Sequence, residues 1–194
     1  MTEPHEYEFS AQLGMSNGVA AGRSVGTILL DNIPGATGVR RADKTDDRQG
    51  TDWWVERENG RRLSVDCKVR RDDYAPRGKD DLALETWSVM EHQKIGWSRD
   101  SGKRTDYILW LWESTGRWCL IPFPLLCAVF SGLWMEWSEE YGPPARQRTR
   151  ADGVRSDEDY HSECVFVPRR VVWGAIYRMF GGGARGEGRP RPRY

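Results

Sequence analysis

Thr51-Asp52-Trp53-Trp54-Val55-Glu56-Arg57-Glu58-Asn59-Gly60-Arg61-Arg62-Leu63-Ser64-Val65-Asp66-Cys67-Lys68-Val69 is the stretch whose reading decides the fold. Trp53, Trp54 and Val55 lead into Glu58-Asn59-Gly60, and Leu63, Val65 and Cys67 then recur at every second position. An Asn-Gly turn between two such runs is a strong short-range signal for a β-hairpin. Successive side chains on a strand point to opposite faces, so Asp66 and Lys68 share one wall while Cys67 points into packing on the other. Folding the hairpin brings Asp52 alongside the strand that bears Asp66. Two carboxylates on adjoining strands suit one hard cation.

Mg²⁺ prefers oxygen ligands and keeps several of its waters. Asp52, Asp66 and the backbone carbonyl of Cys67 therefore form a fitting partial shell, in which Mn²⁺ could substitute. Such an ion neutralises phosphate charge and lowers the pKa of a bound water, while Lys68 orients that water or stabilises the developing oxyanion. These residues point to phosphodiester hydrolysis. Asp47, in the acidic run before the hairpin, is a secondary candidate ligand.

The arrangement resembles the PD-(D/E)xK nuclease superfamily, in which an Asp on one strand precedes an Asp/Glu-x-Lys triplet on its neighbour. Here those residues are Asp52 and Asp66-Cys67-Lys68, with Thr51 in place of the proline. The run Asp47-Arg48-Gln49-Gly50-Thr51-Asp52, the segment 81–85, Gly96-Trp97 and Thr105-Asp106-Tyr107-Ile108-Leu109 are also similar to small phage-encoded members. The likeness spans residues 40–125 and is weaker over 164–168. It implies an α/β, restriction-endonuclease-like fold, a mixed central β-sheet flanked by helices, with divalent-metal dependence and DNA as substrate. It also implies that Glu85, on the next strand, adds an acidic metal ligand or water activator.

With 194 residues the chain has the length of one ordinary domain. Residues 1–180 read as a single domain, with its core over 40–125 and a C-terminal strand–helix extension over 160–180. Residues 181–194, glycine-rich and then Arg-Pro-rich, read as a disordered basic tail. Twenty-nine basic side chains balance 29 acidic ones, which excludes a molecule drawn as a whole to polyanions. Local excesses remain: residues 61–79 hold seven Lys/Arg against three Asp. Arg70, Arg71, Arg77 and Lys79 are thus candidate phosphate contacts, and Trp87 and Trp97, flanking the site, are candidate base-stacking surfaces. Cys67, Cys119, Cys127 and Cys164 form no CxxC pair, and no leader-like or membrane-spanning run is visible, so an intracellular, cytoplasmic protein is expected. DNA is the expected partner, and a homodimer is compatible with the sequence.

Periodicity elsewhere predicts one or two imperfect helices over 6–33, strands over 82–89 and 107–112 within one central sheet, and a strand over 118–121. A helix over 124–137, a loop over 142–159, a strand over 164–167 and a closing helix over 169–180 complete the expectation. His161 and Cys164 lack the second pair a zinc site needs. The alternative to a nuclease is a non-catalytic nucleic-acid-binding or protein-interaction module on the same fold, for example in phage replication or packaging.

Overall fold

The hairpin forms where the Asn-Gly signal places it, inside one of two five-stranded sheets. The computed structural model describes residues 6–8, 23–142, 144–150 and 158–181. Its strands are β1 (Glu6–Glu8), β2 (Ala36–Arg41), β3 (Trp53–Arg57), β4 (Arg62–Arg70), β5 (Asp81–Val89), β6 (Lys94–Ile95), β7 (Tyr107–Trp112), β8 (Arg117–Pro122), β9 (Ala145–Thr149) and β10 (Tyr160–Pro168). Its helices are α1 (Arg23–Asn32), α2 (Lys44–Arg48), α3 (Phe123–Tyr141) and α4 (Arg169–Phe180), with single 3₁₀ turns at Ala75–Arg77 and Trp97–Arg99.

One five-stranded sheet runs β2-β3-β4-β7-β8 and the other β1-β9-β10-β5-β6, giving a mixed α/β fold. β3 and β4 are antiparallel, Trp53 facing Val65, and the Arg57 N–H donates to the Arg61 carbonyl at 2.9 Å to close the hairpin around Glu58-Asn59-Gly60. β4 and β7 are parallel, with Asp66 opposite Ile108 and Lys68 opposite Trp110. Parallel neighbours need a crossover connection. Here the crossover is residues 71–106, which supply β5 and β6 to the second sheet before returning to β7.

The two faces of the first sheet pack differently. Trp53, Val55, Val65, Cys67, Leu109 and Leu111 close over Val25 and Leu29 of α1 and Ile33 just after it. From the opposite face Ile108, Trp110, Trp112, Cys119 and Ile121 join Leu82, Leu84, Val165 and Val167 of the second sheet and the apolar sides of α3 and α4. β7 is buried on both faces, as its unbroken apolar run requires. A charged clasp ties the periphery. Arg117 Nε and Nη2 each donate to Asp73 at 2.8 Å, while Asp80 accepts from Arg117 Nη1 at 2.9 Å and from Arg169 Nη2 at 2.7 Å.

Several sequence expectations need correction. The strands over 82–89 and 107–112 lie in different sheets, because β5 takes β10 as its antiparallel partner while β7 is held between β4 and β8. β10 is consequently an interior strand of the second sheet and no mere extension. The expected loop over 142–159 contains β9, whose polar residues become a strand through backbone pairing with β10 and β1. In the region expected to be helical, Glu6–Glu8 is a strand and the helix covers Arg23–Asn32. Residues 9–22 of that region, and 182–194 of the expected tail, lie outside the described residues. The closing strand–helix pair stands where periodicity put it. All four cysteines are free, and among the described residues no helix is long and apolar enough to cross a membrane.

Candidate active site

The segment before β3 is pinned on both sides. The Asp52 N–H donates to the Val65 carbonyl at 2.9 Å, and the Asp52 carbonyl accepts from the Ala42 N–H at 2.9 Å. Continuing the register of Trp53 with Val65 by one residue sets Asp52 against Asp66. The Asp52 carboxylate turns toward β4, where its Oδ2 accepts the Cys67 N–H at 2.7 Å. Two acidic groups thus face one another across the hairpin.

Lys68 completes the wall. Its Nζ lies 2.8 Å from Asp66 Oδ1; the Asp66 side chain is 6 % exposed and that of Lys68 32 %. The same ammonium sits 4.9 Å from the centre of the Trp97 ring, a cation–π contact. Trp97 is held in turn at 5.7 Å from Trp110 and 6.5 Å from Phe123. Trp97 therefore serves as a rigid platform for Lys68, with its faces committed to these contacts.

Glu85 enters from the second sheet. Its Oε2 accepts the Trp97 N–H at 2.7 Å, and its own N–H donates to Ser98 Oγ at 2.8 Å. Gly96 permits this clasp, because a Cβ there would stand 2.2 Å from the Glu85 carbonyl oxygen. The chain can pass so close to β5 only at a residue without a side chain.

Electrostatics reflect the crowding. Burial, reinforced by the Asp66 charge, raises the Asp52 carboxyl to about 7. Burial likewise raises Glu85, against the Trp97 N–H and the charges of Lys68 and Lys103. For Lys68 burial works against the charge, but Asp66, Asp52 and Glu85 outweigh it and hold the ammonium above its ordinary value. Burial pushes the Cys67 thiol up to about 12, so this side chain stays protonated and only its carbonyl suits a hard ion. The donor set beside Lys68 is all oxygen, and a cation between Asp52 and Asp66 would relieve their repulsion. That chemistry fits Mg²⁺ or Mn²⁺. Among the described residues no three His, Cys, Asp or Glu side chains already form a cage for an ion.

The other candidates are distributed unevenly. Asp47 lies on α2, exposed, and its charge reaches Asp52. Glu85, on β5 of the second sheet, is close enough for its carboxylate to act on the Lys68 ammonium. Arg70 is taken up by Asp81, 2.7 Å from Nη1, and by the Phe166 ring at 4.8 Å. Arg71, Arg77 and Lys79 are exposed beyond the end of β4; at about 3.3 Å per strand residue Arg71 is roughly 17 Å from Asp66. Trp87 packs edge-on against Trp134 at 5.6 Å and under Arg99 at 5.0 Å. Two site features escaped the sequence reading. Asp106 Oδ2 accepts both the Ser64 N–H at 2.8 Å and its hydroxyl at 2.9 Å, fixing the start of β7 on β4. Lys103 approaches from the loop before β7, in a stretch whose spacing gives no signal. In comparisons with known proteins no family model, curated protein or solved structure matches the chain.

Proposed function

We propose that this protein is a metal-dependent nuclease that hydrolyses phosphodiester bonds in DNA, on a restriction-endonuclease-like scaffold of the PD-(D/E)xK type. The observation that carries the reading is Asp52 set against Asp66 across the hairpin, with the Lys68 ammonium 2.8 Å from Asp66. Asp52, Asp66 and the Cys67 carbonyl would hold Mg²⁺ or Mn²⁺, with Glu85 and Asp47 as the neighbouring acidic groups. When bound, the ion supplies charge neutralisation at the phosphate and a more acidic water.

The chain's own residues do the rest. Lys68 is kept protonated by its acidic neighbours, so it acts as a hydrogen-bond donor to the attacking water or the developing oxyanion rather than as a base. Trp97 limits the directions in which that ammonium can point. Glu85, held by the Trp97 N–H, keeps a carboxylate within electrostatic reach of Lys68. Incubating the protein with single-stranded, duplex and branched DNA in Mg²⁺, Mn²⁺ or EDTA tests the proposal. Metal-dependent products that vanish with Lys68→Ala are expected. Binding without products in every metal would instead mark a non-catalytic binding module.

A further inference from the structure

The loop before β7 is stapled to the turn that delivers Asp52. The Arg104 N–H donates to the Gln49 carbonyl at 3.2 Å, the Thr51 hydroxyl donates to the Arg104 carbonyl at 2.9 Å, and the Thr105 hydroxyl donates to the Gly50 carbonyl. Gly50 has φ 93°, and a Cβ on it would meet Lys103 Cδ at 3.1 Å and Lys103 Nζ at 3.5 Å. The stem of Lys103 therefore lies along Gly50, two residues before Asp52. Its ammonium also reaches Glu85 electrostatically. The half-buried Lys103 lines a recess of about 310 Å³ with Gln49, Asp100, Gly102 and Arg104. Asp100, the acidic member, has its Oδ1 engaged by the Gly102 N–H at 3.0 Å.

We infer that this recess is a phosphate subsite, in which Lys103, with Arg104 at the rim, grips a phosphodiester of the bound DNA strand next to the one held at Asp52 and Asp66. The inference rests on the nuclease reading above and adds to it the element that orients the strand. Three features favour an anionic ligand here. No carboxylate stands at ion-pair distance from Lys103 among the described residues. The hydrogen bonds between the loop and the 49–51 turn fix the backbone on either side of the contact between Lys103 and Gly50, so little backbone ordering remains to be done on binding. A second cation, Arg104, borders the same volume. Of the basic run at 70–79, Arg70 is held by Asp81 and Arg71, Arg77 and Lys79 lie beyond the end of β4, whereas Lys103 packs on Gly50, two residues before Asp52.

The test uses the full chain with Ca²⁺ in place of Mg²⁺, so that labelled single-stranded and duplex DNA bind without being consumed, and follows anisotropy across a KCl series. Lys103→Met keeps the stem that packs on Gly50 and removes the charge. It is expected to weaken binding about tenfold and to reduce the slope of log affinity against log salt by about 1. Lys103→Arg should retain the parent slope, and Arg178→Met, at an exposed position of α4, should leave it unchanged. Melting curves of each variant separate lost binding from lost folding, and Lys103→Gln replaces the methionine variant if that one does not fold. A Lys103→Met protein that folds, binds with the parent affinity and keeps the parent salt slope overturns the subsite while leaving the nuclease reading intact. A parent protein that neither binds nor cleaves DNA overturns both.

Discussion

Replacing Asp52 with asparagine should make the metal-free protein more stable and the metal-bound protein inactive. Asp52 and Asp66 face each other across the hairpin, and burial plus the Asp66 charge raises Asp52 from 3.8 to about 7. A folded-state value above the unfolded one means that the folded protein prefers the protonated acid. The stability associated with that proton is complete below about pH 4 and is lost as pH climbs through about 7. At about 1.4 kcal/mol per pK unit the full shift would cost about 4 kcal/mol in alkali. Solvent at the partly open site and relaxation around the charge reduce this to about 2 kcal/mol. Asparagine keeps an acceptor for the Cys67 N–H and carries no charge. Urea unfolding in EDTA, followed by tryptophan fluorescence, should therefore find Asp52→Asn about 2 kcal/mol more stable than the parent at pH 8 and nearly equal to it at pH 4. Saturating Mg²⁺ should reverse the order, adding about 2.7 kcal/mol to the parent at a hundredfold excess over Kd and little to the variant. An alkaline stability difference of zero would show that the two carboxylates are not in conflict. Equal stabilisation of both proteins by Mg²⁺ would show that Asp52 is not a ligand.

Other expectations follow from the same geometry. Lys68→Ala should reduce cleavage to background while far-ultraviolet circular dichroism stays unchanged; cleavage at the parent rate would refute the role assigned to the ammonium. Gly96→Ala drives a Cβ to 2.2 Å from the Glu85 carbonyl, so it should lower stability by about 3 kcal/mol or more, read as a shift in the urea midpoint. Arg117→Ala strips Asp73 and Asp80 of a shared partner and should cost about 2 kcal/mol at neutral pH. The Arg117 hydrogen bond is the main cause that holds Asp73 below its ordinary value, and for Asp80 the Arg169 and Arg117 contacts outweigh burial. These depressed values give stability that is present above about pH 4 and lost as pH falls further. The Arg117→Ala variant should show a shallower acid limb in urea midpoints measured downward from pH 5, and an unchanged limb would refute the clasp.

The parts of the fold legible in the sequence were those that a local rule specifies. The β3–β4 hairpin announces itself by alternation around Asn59-Gly60, β7 by its apolar run, and α4 by the spacing of Val172, Ile176 and Phe180. The division into two sheets is not a local property. Leu82 and Leu84 alternate equally well in either sheet, and only pairing with Val165 and Val167 decides between them. β9, Ala-Arg-Gln-Arg-Thr, has no apolar alternation and exists because both neighbours offer it backbone partners. The candidate site divides in the same way. The facing of Asp52 and Asp66 and the shared wall of Asp66 and Lys68 follow from hairpin register. The capture of Arg70 by Asp81, the seating of Lys68 on Trp97 and the arrival of Lys103 at Gly50 are contacts between distant segments, which spacing does not encode.

The interior position of β10 has a consequence for biosynthesis. β5, which carries Glu85, acquires its antiparallel partner β10 only from residues that begin at Tyr160. A nascent polypeptide that has emerged as far as β8 can form the hairpin bearing Asp52, Asp66 and Lys68, yet it leaves the Glu85 strand with an open backbone edge. The acidic pair would then be assembled before the sheet that braces its neighbours. Pairing with β10 closes that edge, so chains stopped before Tyr160 are expected to lose amide protection along β5 in hydrogen exchange.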